Sequence, residues 1–178
     1  MAATTAAAGD LVSGDPRVRL YIAHHGDAVG PHENPMRPLS SRGQQQVEEL
    51  AREAAVRGAK PRVIWHSGKL RARQTAEAYW RACNPLAQFT AARGLLPDDP
   101  PGWIADRLFA EDGEVMVVGH MPHLPRLLRL LLAGDPDACT VEFPPNGVVC
   151  LEEQAGNWSE RWRLSPASPV TPATIPPT

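Results

Sequence analysis

The sequence predicts an α/β domain built on a mostly parallel central sheet. Three observations lead there. Short apolar runs of strand length alternate along the chain with amphipathic helical patterns. That alternation is what right-handed strand–helix–strand crossovers require, and such crossovers make parallel sheets. Three of the apolar runs end in histidine, at His24-His25, His66 and His120. Open α/β sheets gather ligand sites beyond the carboxyl ends of their strands.

The elements follow in order. "VRLYIA" (18–23) reads as a buried strand. "SSRGQQQVEELAREAAVRG" (40–58) places Val47, Leu50, Ala51 and Ala54 on one helical face, with Ser40 or Ser41 as the cap and Gly58 as the stop. "RVIWH" (62–66) is a second strand. "KLRARQTAEAYWRAC" (69–83) lines up Ala72, Thr75, Ala76, Tyr79, Trp80 and Cys83 as a helical stripe. A further helix is expected over 101–112, a strand over 114–120, and a helix in "PHLPRLLRLLLAG", whose Leu124, Leu127, Leu128 and Leu131 share a face. "GVVCLEE" and "WRLS" read as late strands.

At 178 residues the chain has the length of one domain with a sizeable core. Its ends are compositionally different. Residues 1–16 are small and polar, and the tail from 165 to 178 is rich in proline, serine and threonine, so both are expected to be disordered around a domain at 17–164. No apolar run is long enough for a bilayer, and the N-terminus lacks the basic start and apolar stretch of a signal peptide. Cys83, Cys139 and Cys150 cannot pair completely and lack metal-ligand spacing, which fits a reducing cytoplasm. A net charge of -2 gives no field for nucleic acid.

His25, Arg71 and His120 stand at strand ends or at the helix starts after them, and Arg37 lies in the loop "HENPMRPLS". Guanidinium forks match phosphate geometry through paired hydrogen bonds. A neutral imidazole is a competent nucleophile towards phosphorus. The set suits a phosphoryl group. His123 follows His120 at a helical spacing that invites a metal. No carboxylate or cysteine cluster accompanies the pair and the arginines repel a cation, so neither metal nor cofactor is expected. His66 is expected in packing or behind the residues that touch phosphate, not as a catalytic group. Arg52, Arg57, Arg126 and Arg129 are expected on solvated helix faces. Trp103, Trp158 and Trp162 are expected as core or partial cover.

These motifs together resemble the histidine phosphatase superfamily, the branch that includes phosphoglycerate mutases, and within it the short bacterial phosphohistidine phosphatases of the SixA type. "YIAHHGDA" stands where the family has Arg-His-Gly followed by an acidic residue and alanine; "RPLSSRG", "HSGKLRARQTAE" and "VVGHMPHL" match its next three motifs in order. The resemblance spans about residues 17–164. It implies a three-layer α/β/α sandwich of the phosphoglycerate mutase type. It implies that His25 takes the phosphoryl group as nucleophile, that Arg71 binds phosphate oxygens, that His120 stabilises the transferring group, and that Arg37 lines the pocket. His24 occupies the position where the family has a phosphate-binding arginine. It is carried over as a phosphate ligand that offers one donor when neutral and a positive charge only when protonated, with a spacer facing the pocket rim as the competing reading. Larger relatives place a general acid between the second helix and the third strand. Here that region is "GLLPDDPPGW", so Asp98 and Asp99 are the candidate acids, with an Asp- and Pro-rich turn as the competing reading.

The resemblance implies a phosphatase working through a covalent phosphohistidine. Only about thirty residues separate Cys83 from Glu114, which leaves little room for a lid. The expected substrate is therefore a phosphohistidine on a partner protein, a histidine phosphotransfer domain or a phosphocarrier. A small phosphate ester is the alternative. A third reading, prompted by His24, is a phosphate-binding protein without turnover. Neither nucleic acid nor membrane is expected as a partner.

Overall fold

The computed structural model describes residues 18–138 and 141–167. The segment 1–16 and the tail beyond 167, both expected to be disordered, lie outside the described residues. The chain runs β1 (Val18–His24), α1 (Ser41–Val56), β2 (Val63–His66), α2 (Leu70–Cys83), β3 (Gln88–Ala91), α3 (Pro101–Leu108), β4 (Val115–Gly119), α4 (His123–Ala133), β5 (Val148–Gln154) and β6 (Asn157–Leu164).

The strands form one sheet in the order β3-β2-β4-β1-β5-β6. β1–β4, β2–β4 and β2–β3 pair in parallel, while β1–β5 and β5–β6 are antiparallel. The sheet is therefore mixed, although five strands share a direction and only β5 opposes them. β5 and β6 are an ordinary hairpin. Its turn holds Ala155 and Gly156 at φ 52° and 82°, the two positive values of a tight turn that matches strand twist.

Residues alternate between two cores, as a sheet covered on both faces requires. Tyr21, Ala23, Ile64, Met116 and Val118 face α1 and α2, where they meet Val47, Leu50, Ala51, Ala54, Ala76 and Tyr79. Leu20, Ile22, Val63, Trp65, Val115 and Val117 face the other way, against Ile104 and Leu108 of α3 and Leu124, Leu127 and Leu128 of α4. The result is an α/β/α sandwich of three layers. The chain moves outward from β1 to β2 to β3 over one face, then returns to β4 over the other. That reversal leaves β1 and β4 adjacent at the point where successive crossovers switch faces, which is where an open sheet opens a crevice at its carboxyl edge. His24 is paired in register with Gly119 there.

Two differences from the sequence reading have local causes. β3 was not expected. It is a four-residue edge strand whose residues are mostly exposed, so it carries no burial pattern. α3 ends at Leu108, four residues before the expected stop, because Phe109, Ala110 and Glu111 turn away with their N–H groups on earlier carbonyls.

Candidate active site

The site is assembled from four loops at the carboxyl edge of the sheet. β1 delivers His24 and His25. The loop after it is pinned from both sides: Gly26 N–H donates to Thr75 Oγ1 of α2 at 3.0 Å, and His25 N–H donates to the Gly119 carbonyl at 3.2 Å. α1 packs tightly behind it, so closely that a Cβ on Gly43 would overlap the Asp27 carbonyl. Ser40 caps α1 by accepting from Gly43 N–H at 3.0 Å while its hydroxyl donates to Asp27 Oδ2 at 2.6 Å. The loop after His25 and the start of α1 are thus one hydrogen-bonded unit.

His25 is half-buried, and its Nδ1 lies 2.7 Å from the Gly26 carbonyl. A carbonyl only accepts, so Nδ1 carries the proton and Nε2 holds the free lone pair. Arg71 Nε–H donates to that lone pair at 3.1 Å. Burial lowers the His25 pKa from 6.5 to about 4; the Gly26 carbonyl opposes the shift and the Arg71 and Arg37 charges add to it. The ring is therefore neutral at pH 7, with its lone pair on Nε2. Arg71 sits in the first turn of α2, and burial followed by the Arg37 charge lowers its own pKa. Arg37 itself is held at φ 49° with Nε–H donating to the Val29 carbonyl at 3.2 Å.

His120 directly follows β4 and opens the loop to α4. Its ring centroid lies 4.9 Å from that of His25. Nε2 shares a 2.6 Å hydrogen bond with the Ser67 hydroxyl, and Nδ1 is buried without a partner among the described residues. Burial, then His25 and Arg71, pushes its pKa down to about 3. His25, Arg37, Arg71 and His120, predicted from segments far apart in sequence, are thus brought to one place.

The doubled histidine also resolves. The His24 ring lies 4.4 Å from that of His25. Its Nδ1 accepts the backbone N–H of Asn146 at 2.8 Å, so its remaining proton is on Nε2. Burial, then His25 and Arg71, holds its pKa near 3. His24 is a neutral, oriented ring with one donor.

Ser67, Thr75 and Asn146 were missed in the sequence reading. Asn146 does double duty, since its side-chain Nδ2–H also donates to the His25 carbonyl at 2.7 Å. The "PPNG" turn around it was a visible signal for a positive-φ residue, but not for what that residue touches. The candidate acids separate: Asp98 is exposed, whereas Asp99 lines a groove of about 350 Å³ together with Ser67. His66 is buried against Phe89, ring centroids 5.0 Å apart. Trp103, expected as core or partial cover, is instead 59% exposed.

Residues 20–95 match the sequence profile of the histidine phosphatase superfamily (branch 1). No curated protein sequence matches the chain at a significant level. Among solved structures, the protein histidine phosphatase SixA complexed with tungstate superposes with a TM-score of 0.73 at 23% identity, over 83% of this chain and 97% of that one. A protein assigned as a SixA phosphohistidine phosphatase in Agrobacterium tumefaciens gives 0.68 at 26% identity, over 83% and 97%. The phosphoglycerate mutase of Plasmodium falciparum gives 0.64 at 16%, over 90% and 99%. The profile match takes in His25, α1 and Arg71, and the sheet that carries them has the same fold as these structures; over residues 20–95 the chain is similar to the histidine phosphatase superfamily (branch 1).

Proposed function

We propose that the chain is a phosphatase that forms phospho-His25 and that its substrate is a phosphohistidine on a partner protein. One observation carries the mechanism: His25 presents an unprotonated Nε2 whose proton-bearing Nδ1 is tied to a backbone carbonyl 2.7 Å away. A nucleophile held in that tautomer needs no base. Arg71, now donating to Nε2, transfers its donors to the equatorial oxygens when a phosphoryl group enters, and so frees the lone pair. Arg37, His120 and His24 complete a set of donors around the charge that builds on those oxygens. The acceleration is positioning plus electrostatics. Water then attacks phospho-His25, returning the ring and releasing inorganic phosphate. The domain limits 17–164 belong to this reading, with the flanking segments outside the catalytic unit.

The substrate assignment is supported by the connection between α2 and β4, which holds only the short β3 and α3 and no long insertion over the site. Its likeness to structures described as SixA phosphatases, one of them with bound tungstate, points the same way. When the substrate is itself a phosphohistidine, the first step exchanges one P–N bond for another.

His25→Ala should abolish phosphate release, and the wild type quenched during turnover should hold an acid-labile, alkali-stable phosphoryl group. Arg71→Ala and His120→Ala should each lose roughly a hundredfold in rate, the usual scale for one transition-state donor. Activity surviving in His25→Ala removes the covalent mechanism. Turnover of small esters but not of a phosphohistidine protein moves the substrate to the ester class. Tight phosphate binding without turnover of either marks a binding protein.

A further inference from the structure

The groove beside Ser67 is not used by the mechanism above. It is lined by Arg93, Leu96, Asp99 and Trp103 as well as Ser67, and it opens one side chain away from the nucleophile. Ser67 touches His120 at 2.6 Å, and the His120 ring lies 4.9 Å from His25. Two large apolar side chains are uncovered there, Trp103 at 59% and Leu96 at 41% exposure. Trp103 is not loose. It lies in the first turn of α3 next to Ile104, which is fully buried, and its Cβ abuts the loop at Gly94, where an added Cβ would come within 3.2 Å. An indole anchored at its base and bare on its surface is a preorganised stacking platform.

The charges are divided along the same line. Arg37 and Arg71 stand at the nucleophile, and Lys69 precedes α2 there. The groove carries one cation and one carboxylate. Asp99 is oriented by the Leu96 N–H, which donates to Oδ2 at 2.9 Å, and a carboxylate has further acceptor capacity after one such bond. A ligand with an anionic phosphoryl end and a planar ring bearing an N–H complements both parts.

We propose that the Trp103–Asp99 groove is a leaving-group subsite for an imidazole ring, stacked on Trp103 and held by its distal N–H on Asp99; this rests on the phosphohistidine reading given above. Its chemical effect is specific to a P–N substrate. Phosphorylated imidazole with a proton on its distal nitrogen leaves as neutral imidazole. The P–N bond breaks, its electron pair stays on the departing nitrogen, and the new bond forms between phosphorus and His25 Nε2. No proton has to reach the departing nitrogen in that step. Asp99 accepting the distal N–H keeps the ring in that protonation state. An alkoxide leaving group has no second nitrogen and gains nothing from this arrangement.

The test compares two P–N substrates, free phosphohistidine and phosphoramidate, which differ in having or lacking the ring. In Trp103→Ala the ratio of kcat/KM for phosphohistidine over phosphoramidate should fall about fivefold to tenfold, the scale of one aromatic contact. Trp103→Phe should restore it to within about twofold. Asp99→Asn, which keeps an acceptor for Leu96 N–H but loses the anion, should lower the same ratio at least fivefold. A ratio unchanged in both Trp103→Ala and Asp99→Asn overturns the subsite. Inorganic phosphate bound by each variant as tightly as by the wild type, measured by isothermal titration, reports that the site is folded. Failure of the substrate reading shows separately, in the wild type: phosphoramidate turned over with phosphohistidine untouched rejects phosphohistidine as substrate and the subsite with it.

Discussion

At the scale of single residues, the proposed mechanism depends on which nitrogen of each histidine holds a proton, and neighbours set that choice. The Gly26 carbonyl fixes His25, and the Asn146 N–H fixes His24. Asn146 further holds the His25 carbonyl through its side chain. Its φ of 53° is a conformation that glycine adopts freely, so Asn146→Gly removes the amide without straining the turn. That variant should lose roughly threefold to tenfold in kcat/KM, the worth of one neutral hydrogen bond. The loss should fall mainly on kcat, because the bond positions the nucleophile loop and does not reach the substrate. Steady-state kinetics checks it, and unchanged kcat would reduce Asn146 to a turn residue. None of this was legible in the sequence. Position 146 lies 121 residues from His25, and "PPNG" announces a turn only.

At the scale of elements, the contact between α1 and the loop after β1 decides how rigidly His25 is held. Val47 of α1 and the Gly26 backbone approach so closely that a Cβ on Gly26 would come within 2.5 Å of Val47. Gly43 meets the Asp27 backbone more tightly still. Backbone cannot yield as a side-chain tip can. Gly43→Ala should therefore destabilise by about 1–3 kcal/mol, the cost of overpacking, and should also lower kcat by displacing the loop. Ser40→Ala removes the cap and the Asp27 hydrogen bond, and should cost about 1–2 kcal/mol. Urea unfolding monitored by tryptophan fluorescence measures both. The helix itself was readable, since its apolar spacing and Ser40 cap are local signals. The reason for glycine at 43 was not, because its neighbour is sixteen residues earlier and reached only through the fold. β3 was unreadable for a related reason: an exposed edge strand has no alternating burial to record.

At the scale of the whole molecule, four histidines are kept uncharged by burial. His24 and His120 have pKa values near 3, and His25 and His123 near 4, against 6.5 when unfolded. All four folded values lie below the unfolded one, so between pH 6.5 and about 3 the unfolded chain binds more protons. Stability should then rise with pH across that window and fall as pH drops below 6.5. Urea unfolding from pH 7.5 to 4.5 should show a slope equivalent to more than one proton taken up on unfolding near pH 5. A flat profile would mean the rings are solvated. The same shift places the acid limb of kcat/KM, corrected for substrate ionisation, below pH 6, since neutral His25 survives there. At the opposite edge of the sheet, the Arg19, Glu114 and Glu152 side chains tie β1 to its neighbours, with Tyr21 donating to Glu114 at 2.8 Å.

The sequence by itself determined the order of strands and helices apart from β3, the burial of the central strands, and the choice of His25, Arg37, Arg71 and His120 as candidate site residues. Those features are written in short-range periodicity and in motifs of a few residues. Only the tertiary structure decided that β4 lies between β1 and β2, that β5 runs against the rest, and that His25 and His120 face each other across adjacent strand ends. It also decided the partners of each ring nitrogen and the groove at Trp103. Contacts such as Arg71 to His25 and Ser67 to His120 join positions 46 and 53 residues apart. Their geometry follows from the sheet order and from which helix covers which face, and local patterning leaves that choice open until the two cores pack.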